Sequence, residues 1–534
     1  MLRRFALPIA VYLALALVLT WPLAANPHSQ VVGAVRSDAW NSLWNLWFVH
    51  DALVDGRSPF FTTLLAHPAG GRIVVADPLN TLLGYPLVSL FGVVETYALL
   101  VVLHSAFAGL AAHALGRALG GRGWIAGVGY QLAPIIVSHL HNGSSEAIAA
   151  GWLPLAALAL WRVTESPTPR RVVAAGVALA VCAIGGWYAG VGAWCVVVGI
   201  FLFHRPVWRQ LAATAGLALL LTLPVAKAVR DVARADDGLV EIKGGADLAR
   251  LRRTIGPSDP RTFFAPGSFR SPDFPHLQGA PSDYVHTTYL GYVLLTLALV
   301  GLWRRPEGRR SGPWLVAGLM GVVMALGPVV VIDGFPLSIR GRAIPLPYLA
   351  IEGLPGFNTL SLLYRIAGVS AMSLAVLADR AIVGRLSPLF ALLVGLETAL
   401  VSPAHGLPAV SNVPHSPALQ ELAAAPDGAI INLPIAASRT YMFEQTVHHK
   451  PLASSLNTGA NQASLRVLTA ARRVKAGLMS TQDVADVALG ERVRYVVIHK
   501  NLLITEPFTD ATSVIRQSFP LIAEDATVRV YALY

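Results

Sequence analysis

Residues 37–47 read SDAWNSLWNLW, and they follow an apolar run of helical length from Phe5 to Ala24. As a helix, this run is long enough to cross the roughly 30 Å hydrocarbon core of a bilayer. The segment after it combines an acidic residue, Asp38, with tryptophans, which favour the boundary between water and lipid. Together the two stretches predict a membrane protein with a functional group held at the water boundary.

The rest of the chain has the composition of a polytopic membrane protein. Of its 534 residues, 54% are hydrophobic and only 13% are charged. Apolar windows of about 20 residues recur as far as Ala404. The net charge of +11 is also seen in nucleic-acid-binding proteins, but the arginines cluster between the apolar windows, where the positive-inside rule places them. We therefore predict a lipid bilayer as partner and no nucleic acid. Cys182 and Cys195 both lie in apolar windows and support neither a disulfide framework nor a cysteine metal site.

The basic clusters predict an order of membrane spans. Arg3 and Arg4 before an apolar run that ends in Ala24-Ala25 are also typical of a signal peptide, but the many later spans favour a retained first helix. With Arg3 and Arg4 in the cytoplasm, this helix crosses outward, and Arg117 with Arg122 marks the return. The segment 79–94 is interrupted by a glycine and a proline, which predicts an interfacial or re-entrant helix. Alternation of the later clusters gives about eleven spans. They cover residues 5–24, 97–115, 123–138, 147–161, 172–184, 191–203, 211–229, 286–303, 314–332, 360–377 and 386–401.

The long connections, 26–95, 230–284 and 333–358, are predicted to be external, as is the tail. The predicted fold class is a polytopic α-helical membrane core, residues 1–404, with an extracytoplasmic α/β domain, residues 405–534. Within the tail, 441–461 is interpreted as a polar connection. The other patterned segments are typical of strands, at 429–433 and 495–499, and of helices, at 417–425 and 465–476.

The first candidate site residue is Asp38. If Ser37 caps a helix, Asp38 lies in its first turn. Helical spacing then places polar residues on the same face: Asn41, Ser42 and Asn45. The tryptophans fall on another face, which is predicted to lie in the membrane interface: Trp40, Trp44 and Trp47. The alternative is that Asp38 only complements the helix dipole and the tryptophans only anchor the chain.

A second polar segment, HLHNGSSE at 139–146, follows the third predicted span. His139, His141 and Glu146 are side chains that bind a divalent cation, orient a phosphate or exchange a proton. Their spacing is not a recognised zinc pattern, and a polar turn between two spans needs residues of this kind anyway. A cation site, a contact to substrate and a plain turn all remain open here.

Arg365 is the third candidate, near the outer end of the tenth predicted span. An arginine just inside the hydrocarbon boundary is costly unless it snorkels to the headgroups or meets an anion such as a lipid phosphate. The external loop before it carries LPY at 346–348, ending in Tyr348, and LPGF at 354–357. Other polar residues lie at external helix ends, and most of them are interpreted as solvated rim: Asp77, Lys227, Arg230, Asp231, Asp283 and Tyr284. No phosphate-binding loop, dinucleotide fingerprint, zinc-protease helix or nucleophile elbow stands in a convincing context.

These features resemble the C-type glycosyltransferase (GT-C) superfamily and, more narrowly, the YfhO-like bacterial membrane proteins. The resemblance covers most of the predicted membrane region and is carried by short motifs. They are SDAW at 37–40, HPAGG at 67–71, YLGY at 289–292, the LPY and LPGF motifs, and Arg365.

The resemblance implies transfer of a sugar from a polyprenyl-phosphate donor to a glycan, lipid or protein acceptor, outside the bacterial inner membrane. Asp38 would match the first-loop catalytic carboxylate, and Arg365 with His139 or His141 would contact the lipid phosphate. The further substrate-binding candidates are Glu146, Asn41 and Tyr348. A single Asp38 in place of an acidic pair, and Glu146 where an aspartate is expected, leave a divalent cation possible and no cofactor certain. The alternative is a transporter or flippase of lipid-linked glycans, although transporters place ionisable residues deeper within spans.

Overall fold

A computed structural model describes residues 3–33, 37–239, 245–266, 285–304, 307–354, 356–404, 406–435, 438–454, 461–505 and 508–534. The helices up to residue 404 are α1 (Arg3–Leu19), α2 (Ala39–Val54), α3 (Pro78–Phe91), α4 (Val93–Ala118), α5 (Trp124–Gln131), α6 (Pro134–His141), α7 (Ser145–Ile148), α8 (Trp152–Glu165), α9 (Pro169–Gly185), α10 (Trp187–Phe203), α11 (Trp208–Arg234), α12 (Gly245–Leu251), α13 (Tyr292–Arg304), α14 (Gly308–Ala325), α15 (Gly368–Asp379) and α16 (Ser387–Leu400). The later helices are α17 (Pro417–Ala424), α18 (Ser438–His448), α19 (Gln462–Lys475), α20 (Thr481–Gly490) and α21 (Phe508–Ser518).

Every range predicted as a membrane span overlaps one of these helices. Two described helical stretches, Val93–Ala118 and Arg205–Arg234, meet the length and apolar composition needed to cross a membrane, and four shorter ones are similarly apolar. The third predicted span is divided between α5 and α6, because Pro134 starts a new helix where it has no N–H to donate. The crossings themselves stay a prediction.

Two carboxylates from neighbouring helices, the buried Asp379 and the half-buried Glu397, accept hydrogen bonds from the first residues of α5 and α13. Asp379, at the end of α15, accepts the backbone N–H groups of Gly123 (2.7 Å) and Ile125 (3.0 Å). Glu397 of α16 accepts those of Tyr292 (2.6 Å) and Val293 (2.9 Å), so the predicted span 286–303 becomes helical only at Tyr292. Helix N-termini carry orphan donors, and these are costly away from water unless an acceptor reaches them.

We expect Asp379→Ala to destabilise the helical core. The substitution leaves buried N–H groups at the start of α5 without their charged acceptor, at a cost of about 3 kcal/mol. The measurement is thermal unfolding of the purified protein in detergent. Asp55→Ala is the matched control, because Asp55 is a solvated carboxylate with a side chain 56% exposed. Equal melting temperatures for the two variants would contradict the capping role.

Helix α15 lies at the centre of the helical core. All its residues except Leu374 are buried, and its apolar side chains share one cluster with those of α4, α5, α8, α10, α13 and α14. A short 3-10 helix, Leu363–Ala367, leads directly into it and is buried along its whole length. The position of Arg365 within this turn is therefore fixed by the most enclosed part of the bundle.

The C-terminal region, residues 406–534, contains strands β9 (Ala429–Leu433), β10 (Val493–His499), β11 (Leu521–Glu524) and β12 (Val528–Ala532). They form a four-stranded sheet in the order β11-β12-β10-β9. Strands β9 and β10 are parallel, and β12 is antiparallel to both β10 and β11. The predicted strands at 429–433 and 495–499 correspond to β9 and β10. The earlier strands of the described chain are β1 (Gln30–Val32), β2 (Phe61–Thr62), β3 (Gly71–Arg72), β4 (Val331–Ile332), β5 (Phe335–Pro336), β6 (Ser338–Ile339), β7 (Arg342–Ala343) and β8 (Val410–Asn412).

The interpretation of 441–461 as a polar connection is wrong for its first part, because α18 runs to His448. This helix is buried on several sides and carries buried polar residues, so it shows no simple apolar stripe. Burial and the nearby charge of Asp525 raise the pKa of Glu444 to about 8, which leaves that carboxyl largely neutral near pH 7.

The tryptophans of α2 pack against α18, so the prediction that they lie in the membrane interface is wrong. The Trp44 indole N–H donates to Gln445 Oε1 (2.8 Å), and the ring of Trp40 lies 5.0 Å from that of Phe443. Trp40 and Trp44 are almost fully buried. The C-terminal region is thereby docked on the first long loop, and strand β1 also pairs with β8.

Candidate functional site

Asp38 is the N-cap residue of α2, but its side chain makes no hydrogen bond to that helix. Instead, one carboxylate oxygen accepts the hydroxyl of Ser144 (Oγ to Oδ2, 3.1 Å). The other oxygen pairs with Arg439 of α18 (Nη1 to Oδ1, 2.6 Å). The Asp38 side chain is 25% exposed, so the carboxylate is reachable from solvent.

Arg365 reaches the same serine from the other side. Its Nη2 donates to Ser144 Oγ (3.4 Å), and its guanidinium lies over the ring of Tyr188 at 5.6 Å. The residue is buried, with 8% of its surface exposed. A single hydroxyl therefore joins the carboxylate of Asp38 to the guanidinium of Arg365. The residues predicted to form the site converge even though they lie far apart in sequence.

A narrow, partly open cavity extends from Arg365. Most of its wall is apolar and comes from α5, α6, α8, α10 and α15, with Leu153 and Val369 as examples. The side chains of Arg365 and of the buried His139 also line this wall and bring nitrogen atoms to it. An apolar cavity that ends at a guanidinium and an imidazole suits a ligand with an apolar body and an anionic head.

Four further residues were predicted to belong to the site: His141, Asn41, Tyr348 and Glu146. His141 is buried two positions beyond His139 on α6 and does not line this cavity. Asn41 is half-buried in the first turn of α2. The hydroxyl of Tyr348 donates to the carbonyl of Phe357 (2.9 Å), so its polar atom is used within its own loop. Glu146 lies in α7, and its side chain is outside the described part of the chain.

Asp77 is buried, so it does not belong to the solvated rim that is predicted for most of the polar residues at external helix ends. It accepts the hydroxyl of Ser145 (2.6 Å), the side-chain amide of Asn80 (2.7 Å) and the backbone N–H of Asn80 (3.2 Å). Asn80 in turn contacts His104 Nε2 through its amide oxygen (2.6 Å). Ser144 and Ser145 therefore contact two different carboxylates, which fixes the turn between α6 and α7. The Asp-Pro pair at the start of an apolar helix is the local signal for such a capping residue.

Arg439 was not found by sequence analysis, since it lies in α18 within a segment that carried no motif. Its side chain is 38% exposed and crosses from the C-terminal region to Asp38. A lone arginine near the start of a weakly patterned helix gives no sequence signal. Only the packing of α18 on α2 shows its position.

No protein-family model matches the chain, and no curated protein matches it. Several solved structures match the chain. A mycobacterial arabinofuranosyltransferase, AftD, superposes over 99% of this chain and 41% of its own, with 17% identity and a TM-score of 0.54. The oligosaccharyltransferase of Archaeoglobus fulgidus superposes over 93% of this chain and 69% of its own, with 13% identity and a TM-score of 0.50. This chain has the GT-C fold. The resemblance inferred from sequence is confirmed at that level, and the narrower YfhO-like assignment stays a prediction.

The predicted cation site involves His139, His141 and Glu146. The archaeal oligosaccharyltransferase was also solved in complex with Zn and sulfate, with 12% identity, a TM-score of 0.50, and superposition over 92% of this chain and 68% of its own. In the part of the chain that the structure describes, no group of three or more His, Cys, Asp or Glu side chains is placed to hold a metal ion. His139 and His141 are two residues apart on a helix and point to different sides. A metal site that includes Glu146 stays a prediction.

Proposed function

We propose that this chain is a membrane glycosyltransferase that moves a sugar from a polyprenyl-phosphate donor to an acceptor on the extracytoplasmic face. The observation that carries the proposal is the bridge by which Ser144 joins Asp38 to Arg365. Glycosyl transfer needs a base for the acceptor hydroxyl and positive charge for the leaving phosphate within one site. The GT-C fold supports this reading, because its solved members named above transfer arabinofuranosyl groups and oligosaccharides.

In this proposal Asp38 takes the proton of the acceptor hydroxyl as its oxygen attacks the anomeric carbon of the donor. The bond between that carbon and the phosphate oxygen breaks, and its electron pair stays on the phosphate. Arg365 stabilises the charge that develops there, since a guanidinium binds phosphate oxygens in a bidentate manner. The apolar cavity beside Arg365 receives the first part of the polyprenyl chain.

The membrane arrangement belongs to the same proposal. We place about eleven spans in residues 1–404, with the N-terminus in the cytoplasm of a bacterial cell and the inner membrane around the core. Residues 405–534 form an extracytoplasmic domain, and the site lies at the outer water boundary. The pattern of basic clusters supports this orientation.

The direct test is a transfer assay with the purified protein in lipid nanodiscs. A panel of polyprenyl-phosphate sugars with a radiolabelled sugar is offered together with candidate acceptors. We expect label in the acceptor and release of free polyprenyl phosphate in equal amounts. Translocation of a lipid-linked glycan across vesicle membranes, with no release from any donor in the panel, would instead establish the flippase.

Topology is tested by a matched pair of cysteine variants. Gly490→Cys, at the end of α20, and Gly384→Cys, between α15 and α16, both leave open space for the new side chain. We expect Gly490→Cys to react with a membrane-impermeant maleimide in intact spheroplasts and Gly384→Cys to react only after lysis. The native Cys182 and Cys195 are buried and serve as the unreactive background. Labelling of Gly384→Cys in sealed cells would reverse the orientation.

A further inference from the structure

The proposed function leaves the contact between Arg439 and Asp38 without a role. We propose that Arg439 is a donor-responsive gate: in the absence of donor it pairs with Asp38, and the phosphate of the donor draws it away. Arg439 then binds the phosphate together with Arg365, and the released carboxylate oxygen accepts the acceptor hydroxyl. The inference rests on the proposed function and assigns a part in it to the C-terminal region.

Docking of the C-terminal region does not need this ion pair. An apolar cluster joins α2 and the first loop to the C-terminal sheet and includes Trp44, Phe48, Tyr441 and Leu452. Gln445 adds a bond from Trp44 and another to the carbonyl of Leu64 (2.7 Å). A partly exposed ion pair adds little stability beside contacts of this kind. The placement of a guanidinium on the candidate base is therefore not explained by stability.

The contacts of Asp38 indicate which of its two hydrogen-bonding partners can leave when a substrate binds. Both carboxylate oxygens are engaged, one by Ser144 and one by Arg439, so a substrate hydroxyl has to share or replace a partner. Ser144 belongs to a turn that is fixed on both sides, by Ser145 on Asp77 and by Asn142 on the backbone of Val285. Arg439, by contrast, has a long side chain that is 38% exposed and can change its rotamer. The movable partner of the base is thus the arginine.

A phosphate suits the role of the displacing ligand. The guanidinium of Arg365 lies one hydroxyl away from the carboxylate of Asp38, and Arg439 pairs with that carboxylate directly, so both arginines lie next to Asp38. A phosphate accepts bidentate guanidinium bonds and competes well with a carboxylate. Donor binding would then precede activation of the acceptor. In this order the carboxylate of Asp38 stays paired until a donor is bound.

The test measures binding of sugar-free polyprenyl phosphate in nanodiscs of zwitterionic lipid. We expect Arg439→Ala to weaken binding about 10-fold to 100-fold, as for loss of a hydrogen bond to a charged group, and Arg439→Lys to restore part of it. Gln445→Ala is the matched control, because it removes a docking bond on the same helix without touching Asp38. Unchanged affinity in Arg439→Ala would overturn the proposal.

A double-mutant cycle tests the competition itself. If Asp38 and the phosphate compete for Arg439, Asp38→Asn should tighten binding of polyprenyl phosphate about tenfold in the presence of Arg439 and markedly less in Arg439→Ala. Equal gains in both backgrounds would show that Arg439 is only an interdomain contact. In the transfer assay the gate predicts a higher KM for donor in Arg439→Ala. Transfer by the wild type with an unaltered KM in this variant would refute the gate and leave the proposed function standing.

Discussion

Asp38→Asn is expected to lower the rate of sugar transfer by about 10²-fold to 10⁴-fold, the contribution usual for a positioned general base. The amide keeps the shape of the side chain and can still meet Ser144, but it has no carboxylate oxygen to take the acceptor proton. Because Asp38 is partly exposed and does not cap its own helix through its side chain, the variant should remain folded. The loss should appear in kcat, with polyprenyl phosphate still bound.

The control for this prediction is Asp51→Asn on the same helix. Asp51 is also a carboxylate paired with an arginine, and its side chain is 34% exposed. Its partner, Arg57, follows the end of α2 and does not come from the C-terminal region. We expect wild-type rates from Asp51→Asn. A rate within tenfold of wild type in correctly inserted Asp38→Asn would remove the base role from this residue.

Arg365→Ala is expected to reduce kcat/KM about 10²-fold to 10³-fold, as does removal of one preorganised donor at a developing negative charge. Arg365→Lys should recover only part of this loss, because an ammonium group cannot form the bidentate contact of a guanidinium. Polyprenyl phosphate should bind more weakly to both variants. Transfer kinetics and lipid-phosphate binding are the two measurements.

Arg365 is buried, so its loss could also disturb the fold, and Arg252→Lys separates the two effects. Arg252 is a buried arginine near the same loop, and its Nη1 donates to the carbonyl of Asn358 (2.7 Å). It does not line the cavity beside Arg365. We expect Arg252→Lys to lower stability at most. Equal rates for the Arg252→Lys and Arg365→Lys variants would contradict a phosphate-binding role for Arg365.

The helical part of the fold could be predicted from sequence because hydrophobic windows report directly on burial in lipid or in a core. Each predicted span overlaps a helix, and strands β9 and β10 lie where their apolar runs indicate. Helix ends were less well predicted. The start of α13 depends on Glu397, which comes from another helix and cannot be read from the local pattern.

The site could be predicted only in part. Asp38 and Arg365 were found because each is an ionisable group at the edge of an apolar run. Their meeting on Ser144 depends on how α15 is enclosed by its neighbours, which no local pattern encodes. The burial of Asp77 and the approach of Arg439 were missed, since both depend on contacts with segments distant in sequence. The tryptophans were misplaced for the same reason, because a lipid interface and a protein interface favour the same side chains.

The central claim is that Asp38 and Arg365 serve one site for a lipid-linked phosphate. The most direct test is a cryo-EM density map of the protein in nanodiscs with bound polyprenyl phosphate. We predict phosphate density within hydrogen-bonding distance of the Arg365 guanidinium and next to Ser144, with the first isoprene units in the apolar cavity. Phosphate density on another flank of the bundle, with Asp38 and Arg365 unchanged, would contradict the account.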